Sequence, residues 1–288
     1  MVVDLTHHVS GFCDRLRQIT FCITIADLKK DYKLYFKEPN TIQCPFSFLD
    51  VCDVEGFETD FWSPEIGPAG LSMVPWVRVD LATVKQYKPV DLQVTNSEFL
   101  ERWLKAYKKV QPKAEVREKI DALNVGSDCL GVHLRFTDKV VAKPWAPDEM
   151  LQPRDVKPIE KALMKSIERE AKKLSLAKIF VASDNQTAKK RWGKTLARKG
   201  YQVIVHDAHF DPEQLRQTSG PDFAVDLFTL ARCRVIVGTT PSYVVRTAAW
   251  VNGTNKFLFA TDRSWSWKTN VWIQKTSAKI KKRFYLNR

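Results

Sequence analysis

The 288-residue chain has no apolar run of the roughly 18 residues that a membrane-spanning helix needs. Its opening, MVVDLTHHVSGFCDRL, has neither the basic region nor the apolar core of a signal peptide, which points to a cytoplasmic protein. The six cysteines (Cys13, Cys22, Cys44, Cys52, Cys129, Cys233) include no C-x-x-C pair and mostly sit in apolar segments. That argues against a zinc site or a disulfide framework and leaves buried free thiols. There is no internal repeat and no low-complexity stretch. No recognised nucleic-acid motif accompanies the formal charge of +13. The lysine clusters at Lys108-Lys109, Lys172-Lys173, Lys189-Lys190-Arg191 and Lys279-Lys281-Lys282-Arg283 read mostly as solvated helix faces. Their field would draw in an anionic small molecule.

What is present is a globular composition. At 44% hydrophobic content the chain can bury a large core, and its length suits two domains. β-like runs alternate with helical ones, the pattern of an α/β protein. Ser97 to Asn124 reads as helix broken at Pro112, and Asn124-Val125-Gly126-Ser127-Asp128 reads as a linker. The expected domains are therefore 1–125 and 126–288. Aromatics in the proline-containing stretch from Cys44 to Leu71 either stack on a ligand or pack beneath a long loop, and packing is the commoner use.

Three segments carry chemistry. In GVHLRFTDK, an apolar strand from Cys129 to Leu134 ends by presenting His133, Arg135, Thr137 and Asp138. Open α/β sheets bind ligands at the carboxyl ends of their strands, and an arginine there offers a permanently charged fork suited to phosphate. In AKIFVASDNQTAKKRW, a strand over Ile179 to Ala182 ends at Ser183-Asp184-Asn185, which either caps the next helix or reads the edge of a nucleobase. In AVDLFTLARCRVIVGTTPSYVVRTAAWVNG, Asp226 and the apolar residues after it form a helix closed by Arg232 and Cys233. A strand over Val235 to Val237 follows, then a hydroxyl-rich turn through Thr240 and Ser242, and a second helix from Tyr243 to Trp250 carrying Arg246. Strand, small-residue turn and helix aim backbone N–H groups at an anion, although the same segment also reads as ordinary αβα structure with a serine cap.

The order HxRxTDK, then a strand ending in Asp-Asn, then D-L…C-x-x-x-V-x-(T/S)-x-x-S resembles the GDP-fucose fucosyltransferase superfamily. The α-1,6-fucosyltransferases and nodulation-factor fucosyltransferases are the nearest echoes. Gly11, Phe12, Asp14 and Leu16 match that family's opening Gly-rich loop and helix. The likeness covers residues 5–35 and 129–253 and leaves 36–128 without a motif. It implies a GT-B fold, two Rossmann-like domains facing a central cleft, with a C-terminal crossover segment after Phe257. It also implies inverting, metal-independent transfer of fucose from GDP-fucose to a hydroxyl of a glycan acceptor. No cofactor, nucleic-acid partner or metal is expected. The absence of a D-x-D carboxylate pair agrees, since such pairs commonly hold a divalent ion.

The resemblance assigns roles. Arg135 would stabilise the leaving diphosphate, Thr240, Ser242 and Tyr243 would cradle it with Arg246 in support, and His133 would bond ribose or phosphate or else fill the strand end. Gly11, Phe12 and Arg15 would close over it from the first domain. Ser183, Asp184 and Asn185 would meet the base, and Asp226 would orient Arg135 or a loop. Two departures stand out. Phe136 occupies the place of a second arginine, so one cation is gone or is supplied elsewhere, by Arg15 or Arg17. Lys143 stands where the α-1,6 enzymes carry a glutamate base, which leaves Asp138, or else Asp148 or Glu149. Asn185 replaces an aspartate suited to guanine, so a UDP-sugar such as UDP-xylose is the alternative donor. A sugar-binding protein without catalysis and a basic nucleic-acid-binding protein are the non-enzymatic alternatives.

Overall fold

The structure is a computed structural model describing residues 1–6, 11–38, 41, 44–66, 71–72, 79–135, 153–210, 218–239, 242–254 and 256–260. The first half contains β1 (Val2–Asp4), α1 (Phe12–Lys29), β2 (Lys33–Lys37), α2 (Phe48–Val51), β3 (Cys52–Val54), β4 (Glu58–Phe61), β5 (Leu71–Ser72), α3 (Leu81–Tyr87), α4 (Asn96–Ala106), β6 (Val110–Pro112) and α5 (Ala114–Ala122). The second half contains β7 (Cys129–Leu134), α6 (Pro153–Leu174), β8 (Lys178–Ser183), α7 (Gln186–Arg198), β9 (Gln202–Val205), α8 (Gly220–Arg232), β10 (Val235–Gly238), α9 (Tyr243–Val251) and β11 (Phe257–Phe259).

Two parallel sheets organise these elements. The first has the order β4-β2-β1-β5 and the second β11-β10-β7-β8-β9. All six residues of β7 are buried, as a central parallel strand covered on both faces requires. Gly131 lies at its middle because α8 packs directly on it. A Cβ there would meet Leu230 Cδ2 at 2.9 Å and Cys233 Cβ at 3.2 Å.

One apolar core joins the first sheet and α1 to the α8 and α9 face of the second sheet, and a smaller core lies under α6 and α7. Helix α1 is wedged into the first core and is buried nearly all round, including Arg15 and Arg17. It ends at Lys30 in the left-handed region (φ 56°), whose N–H donates to the carbonyls of Ala26 and Asp27. All six cysteines are buried free thiols, and burial pushes Cys22 up to about 12.

Several expectations about local structure need correction. Pro112 does not simply interrupt a helix. The chain makes a short strand there, β6, antiparallel to β3 with Cys52 opposite Pro112, and the proline sits at its end where a missing donor is tolerated. Helix α8 begins at Gly220, well before Asp226, because Ser219 caps it by accepting the Asp222 N–H at 3.2 Å. Lys189 is not on a solvated face: it is 4% exposed. Among the described residues no helix is long and apolar enough to cross a membrane. Thr137, Asp138, Lys143, Asp148, Glu149, Thr240 and the crossover segment after Ala260 lie outside the described residues.

Candidate functional site

The second sheet's order places its site. From β7 the chain winds outward through β8 to β9, then returns to lay β10 on the opposite side of β7. From β7 the next strand is added on one side and from β10 on the other, which makes their carboxyl ends the switch point where open α/β sheets bind ligands. Thr239 ties the two strand ends together. Its N–H donates to the His133 carbonyl at 3.2 Å, and its Oγ1 accepts the Arg135 N–H at 3.0 Å. That pair of bonds fixes the backbone on either side of Leu134, where strand gives way to loop.

A cavity occupies this switch point. His133 and Arg135 line it from β7, and Ala182, Ser183 and Asp184 from β8. Phe223 and Asp226 reach it from α8, and Val244 from α9. The opposite wall comes from the first half of the chain: Phe12 at the start of α1, with Pro45 and Phe46. Phe12 and Phe46 stack at 5.4 Å between centroids, and Phe223 meets Phe12 edge-on at 5.9 Å. The site thus pairs a polar wall of strand ends with an aromatic wall.

The segment carrying Phe46 is anchored by Glu38, the residue after β2. Its carboxylate accepts from the Ser47 hydroxyl and from the Phe48 N–H at 2.6 Å. Burial raises the Glu38 carboxyl above its ordinary value, an effect reduced by those two bonds and by the nearby Arg15 charge. Arg15 is itself buried and donates to Thr41 Oγ1 at 3.1 Å.

The expected residues divide into two sets. Phe12, His133, Arg135, Ser183, Asp184 and Asp226 come together on the cavity wall. Gly11 is the extended N-cap residue of α1. Ser242 caps α9, its hydroxyl accepting the Val244 N–H at 3.3 Å. Asn185 caps α7, its Oδ1 accepting the Ala188 N–H at 2.8 Å, so capping, the commoner use, is the role the fold gives it. Arg246 lies between the Tyr243 and Phe259 rings, 5.7 Å from each centroid, rather than on the cavity wall. Tyr243 also carries the Arg17 guanidinium 3.8 Å from its centroid, and Arg17 is paired in turn with Asp14. The Arg17 cation is therefore engaged where α1 meets α9.

Asp226 was expected to orient Arg135 or a loop. Its described partners are Lys189, at 3.2 and 3.4 Å, and His206 Nδ1, at 3.4 Å, in the loop after β9. His206 Nε2 lies 3.4 Å from Asp222 Oδ1. Burial pushes the Asp222 carboxyl up, but the Ser219 hydroxyl, the His209 N–H and the His206 and Lys119 charges outweigh it and hold the group below its ordinary value. A buried charge network thus braces α8, which carries Phe223 and Asp226 into the cavity.

Lys189 gave no signal of this, because a lysine in a Lys-Lys-Arg run on a helix looks solvated. His206 sits in a segment without a motif, and Phe46 and Phe223 are indistinguishable in sequence from core aromatics. Among the described residues no three His, Cys, Asp or Glu side chains group so as to hold a metal.

No protein-family model matches the sequence, and a search of curated proteins gives no significant match. The fold, by contrast, has solved counterparts. The crystal structure of fucosyltransferase NodZ from Bradyrhizobium aligns at a TM-score of 0.52, over 86% of this chain and 91% of that one, with 16% identity. A crystal structure of NodZ alpha-1,6-fucosyltransferase soaked with GDP-fucose aligns at 0.50, over 87% and 91%, again with 16% identity. The chain therefore has an α/β fold of parallel sheets like that of these fucosyltransferases, which are glycosyltransferases.

Proposed function

We propose that the protein is an inverting, metal-independent glycosyltransferase that moves a sugar, fucose from GDP-fucose, to a hydroxyl of a glycan acceptor. The observation that carries this reading is the convergence of His133, Arg135, Ser183 and Asp184 on one cavity at the β7/β10 switch point, facing Phe12 and Phe46 from the first sheet. In this reading the two halves, 1–125 and 126–288, are the two Rossmann-like domains of a GT-B enzyme, and the donor lies in the cleft between them.

The chemistry follows from the wall. Breaking the bond from sugar to diphosphate develops negative charge on the leaving oxygen. A fixed cation and fixed N–H donors stabilise that charge without reorganising. Arg135 supplies the cation, with its backbone set by Thr239. The N-terminus of α9, capped by Ser242, adds a positive helix end. Asp138 takes the acceptor proton. Phe12 and Phe46 exclude water from the sugar, which suppresses hydrolysis.

A UDP-sugar is the second reading, and Asn185 bears on it. An amide offers uracil both an acceptor and a donor, but here its oxygen is engaged at the helix N-terminus. Asp184, on the cavity wall, has the carboxylate that suits guanine's adjacent N–H donors. That balance favours GDP.

Thermal unfolding with GDP, UDP, CDP and ADP tests the proposal, followed by an assay of donor hydrolysis. A ligand at about 100 times its Kd stabilises by roughly 2.7 kcal/mol, which moves the midpoint by several degrees. GDP gives the largest shift. If no nucleoside diphosphate moves the midpoint, the reading fails.

A further inference from the structure

Helices α6 and α7 lie side by side over the second sheet, and their outward faces are ladders of cations. Lys157, Lys161 and Lys165 recur every fourth residue on α6, and Lys190, Lys194 and Arg198 do the same on α7; all six are exposed. Each ladder lies opposite its helix's buried line, Ile159, Leu163 and Ile167 on α6 and Trp192 and Leu196 on α7. Residues four apart stack along one face, a rise of about 6 Å per step.

Three acids of α6 are engaged by other cations. Glu160 is held by Arg191, Glu168 by Lys199 at 2.6 Å, and Glu170 by Arg169 at 3.0 Å, so the first two zip the helices together. Helix α7 contains no Asp or Glu. None of the six ladder cations has an ion pair among the described residues.

Beside α7 the surface changes character. Strand β9 is the edge of the sheet, and between it and α7 runs a groove of about 370 Å³. Val203, Val205 and Phe210 contribute to its walls, with Lys190, Lys194 and one acid, Asp207, also lining it. Val205 on that edge is 45% exposed.

We propose that this face docks the protein peripherally on an anionic lipid surface, the two ladders on the headgroups and the groove against an acyl segment. A broad array of lysines beside an apolar groove matches the two chemistries a lipid presents together. A nucleic acid offers phosphates but no aliphatic chain for the groove, and no aromatic side chain stands within either ladder to stack on bases. The proposal is independent of the transferase reading.

Co-sedimentation with phosphatidylcholine vesicles, with and without phosphatidylserine, tests it. The protein binds the anionic vesicles, ignores the neutral ones, and is released between about 0.05 and 0.5 M salt. Each surface-facing cation contributes about fivefold at low salt. The triple variant Lys161→Gln, Lys165→Gln, Lys194→Gln therefore loses about 100-fold in partitioning. A control with the same charge change at exposed sites elsewhere, Lys85→Gln, Lys105→Gln, Lys256→Gln, loses less than about fivefold. Circular dichroism of both triples confirms that they fold. Equal losses in the two triples would assign the effect to net charge and overturn the proposal. So would equal binding to neutral vesicles, displacement by inorganic phosphate at constant ionic strength, or tighter ladder-dependent binding to a DNA duplex than to anionic vesicles.

Discussion

Gly220 opens α8 directly beneath the Phe46 ring, so adding one methyl there tests how closely the aromatic wall is built onto the second sheet's helix. A Cβ at that position would lie 2.4 Å from Phe46 Cγ and 2.6 and 2.7 Å from its Cδ atoms. Carbon atoms rest at about 3.5–4.0 Å, so the ring must retreat by more than about 1 Å. Phe12, stacked at 5.4 Å, restricts its movement. Overpacking of this kind costs about 1–3 kcal/mol. The backbone contribution is small, because the helix-propensity gain of alanine is offset by the restriction on a residue preceding Pro221. Gly220→Ala should therefore destabilise the protein by about 1–3 kcal/mol. In a Phe46→Ala background the same change should be neutral to within about 0.5 kcal/mol, a coupling of the size seen between contacting residues. Urea unfolding of the four proteins measures this cycle. Additive effects would show that Phe46 does not sit against α8 and would remove that wall from the cavity.

Arg135→Ala should leave the fold intact and lower transfer by about 10² to 10³, the usual effect of losing one fixed donor to a developing anion. Normal turnover in a normally folded variant removes Arg135 from the site. Lys189→Met leaves Asp226 buried with His206 as its remaining partner among the described residues and should cost about 3–5 kcal/mol on urea unfolding, with Asp226→Asn in the same chain recovering part of the loss. No loss would mean that the pair does not brace α8. Asp222 is held below its unfolded value, so its contribution is present above the unfolded pKa and disappears as pH falls through the folded one. Asp222→Asn should therefore destabilise the protein at pH near 6 and narrow its gap to wild type on acidification toward pH 3. An undiminished gap would refute the linkage.

In the second half, β7, β8, α7, β10 and α9 were legible in the sequence because each is a contiguous pattern, whereas α6, β9 and β11 were not read. Cys129 to Leu134 is an apolar run interrupted by His133 and forms β7 in full, and Tyr243 onward is helical as its apolar spacing requires. His133, Arg135, Ser183 and Asp184 could be picked out because each lies within a residue or two of a strand's end, and parallel sheets place such ends together. The register Gly238 opposite His133 could not be read, nor the Thr239 bonds that stitch those two strands. They depend on which strands become neighbours.

The same limit explains the rest. A short-range pattern shows whether a lysine or an aromatic lies on a helix, but burial is decided by what packs on that helix from far along the chain. Lys189 meets Asp226 and His206 only through the tertiary fold, and Phe46 reaches Gly220 only because the two sheets share one core. Asn185 offered two readings in sequence, and the start of α7 takes up its oxygen because a helix end leaves N–H donors that a nearby side chain must satisfy. Sequence alone determined the contiguous elements that carry the site and the chemistry available at their ends. The tertiary structure decided which charges are buried, which aromatics face the cavity and which cations remain outside, because those depend on long-range packing.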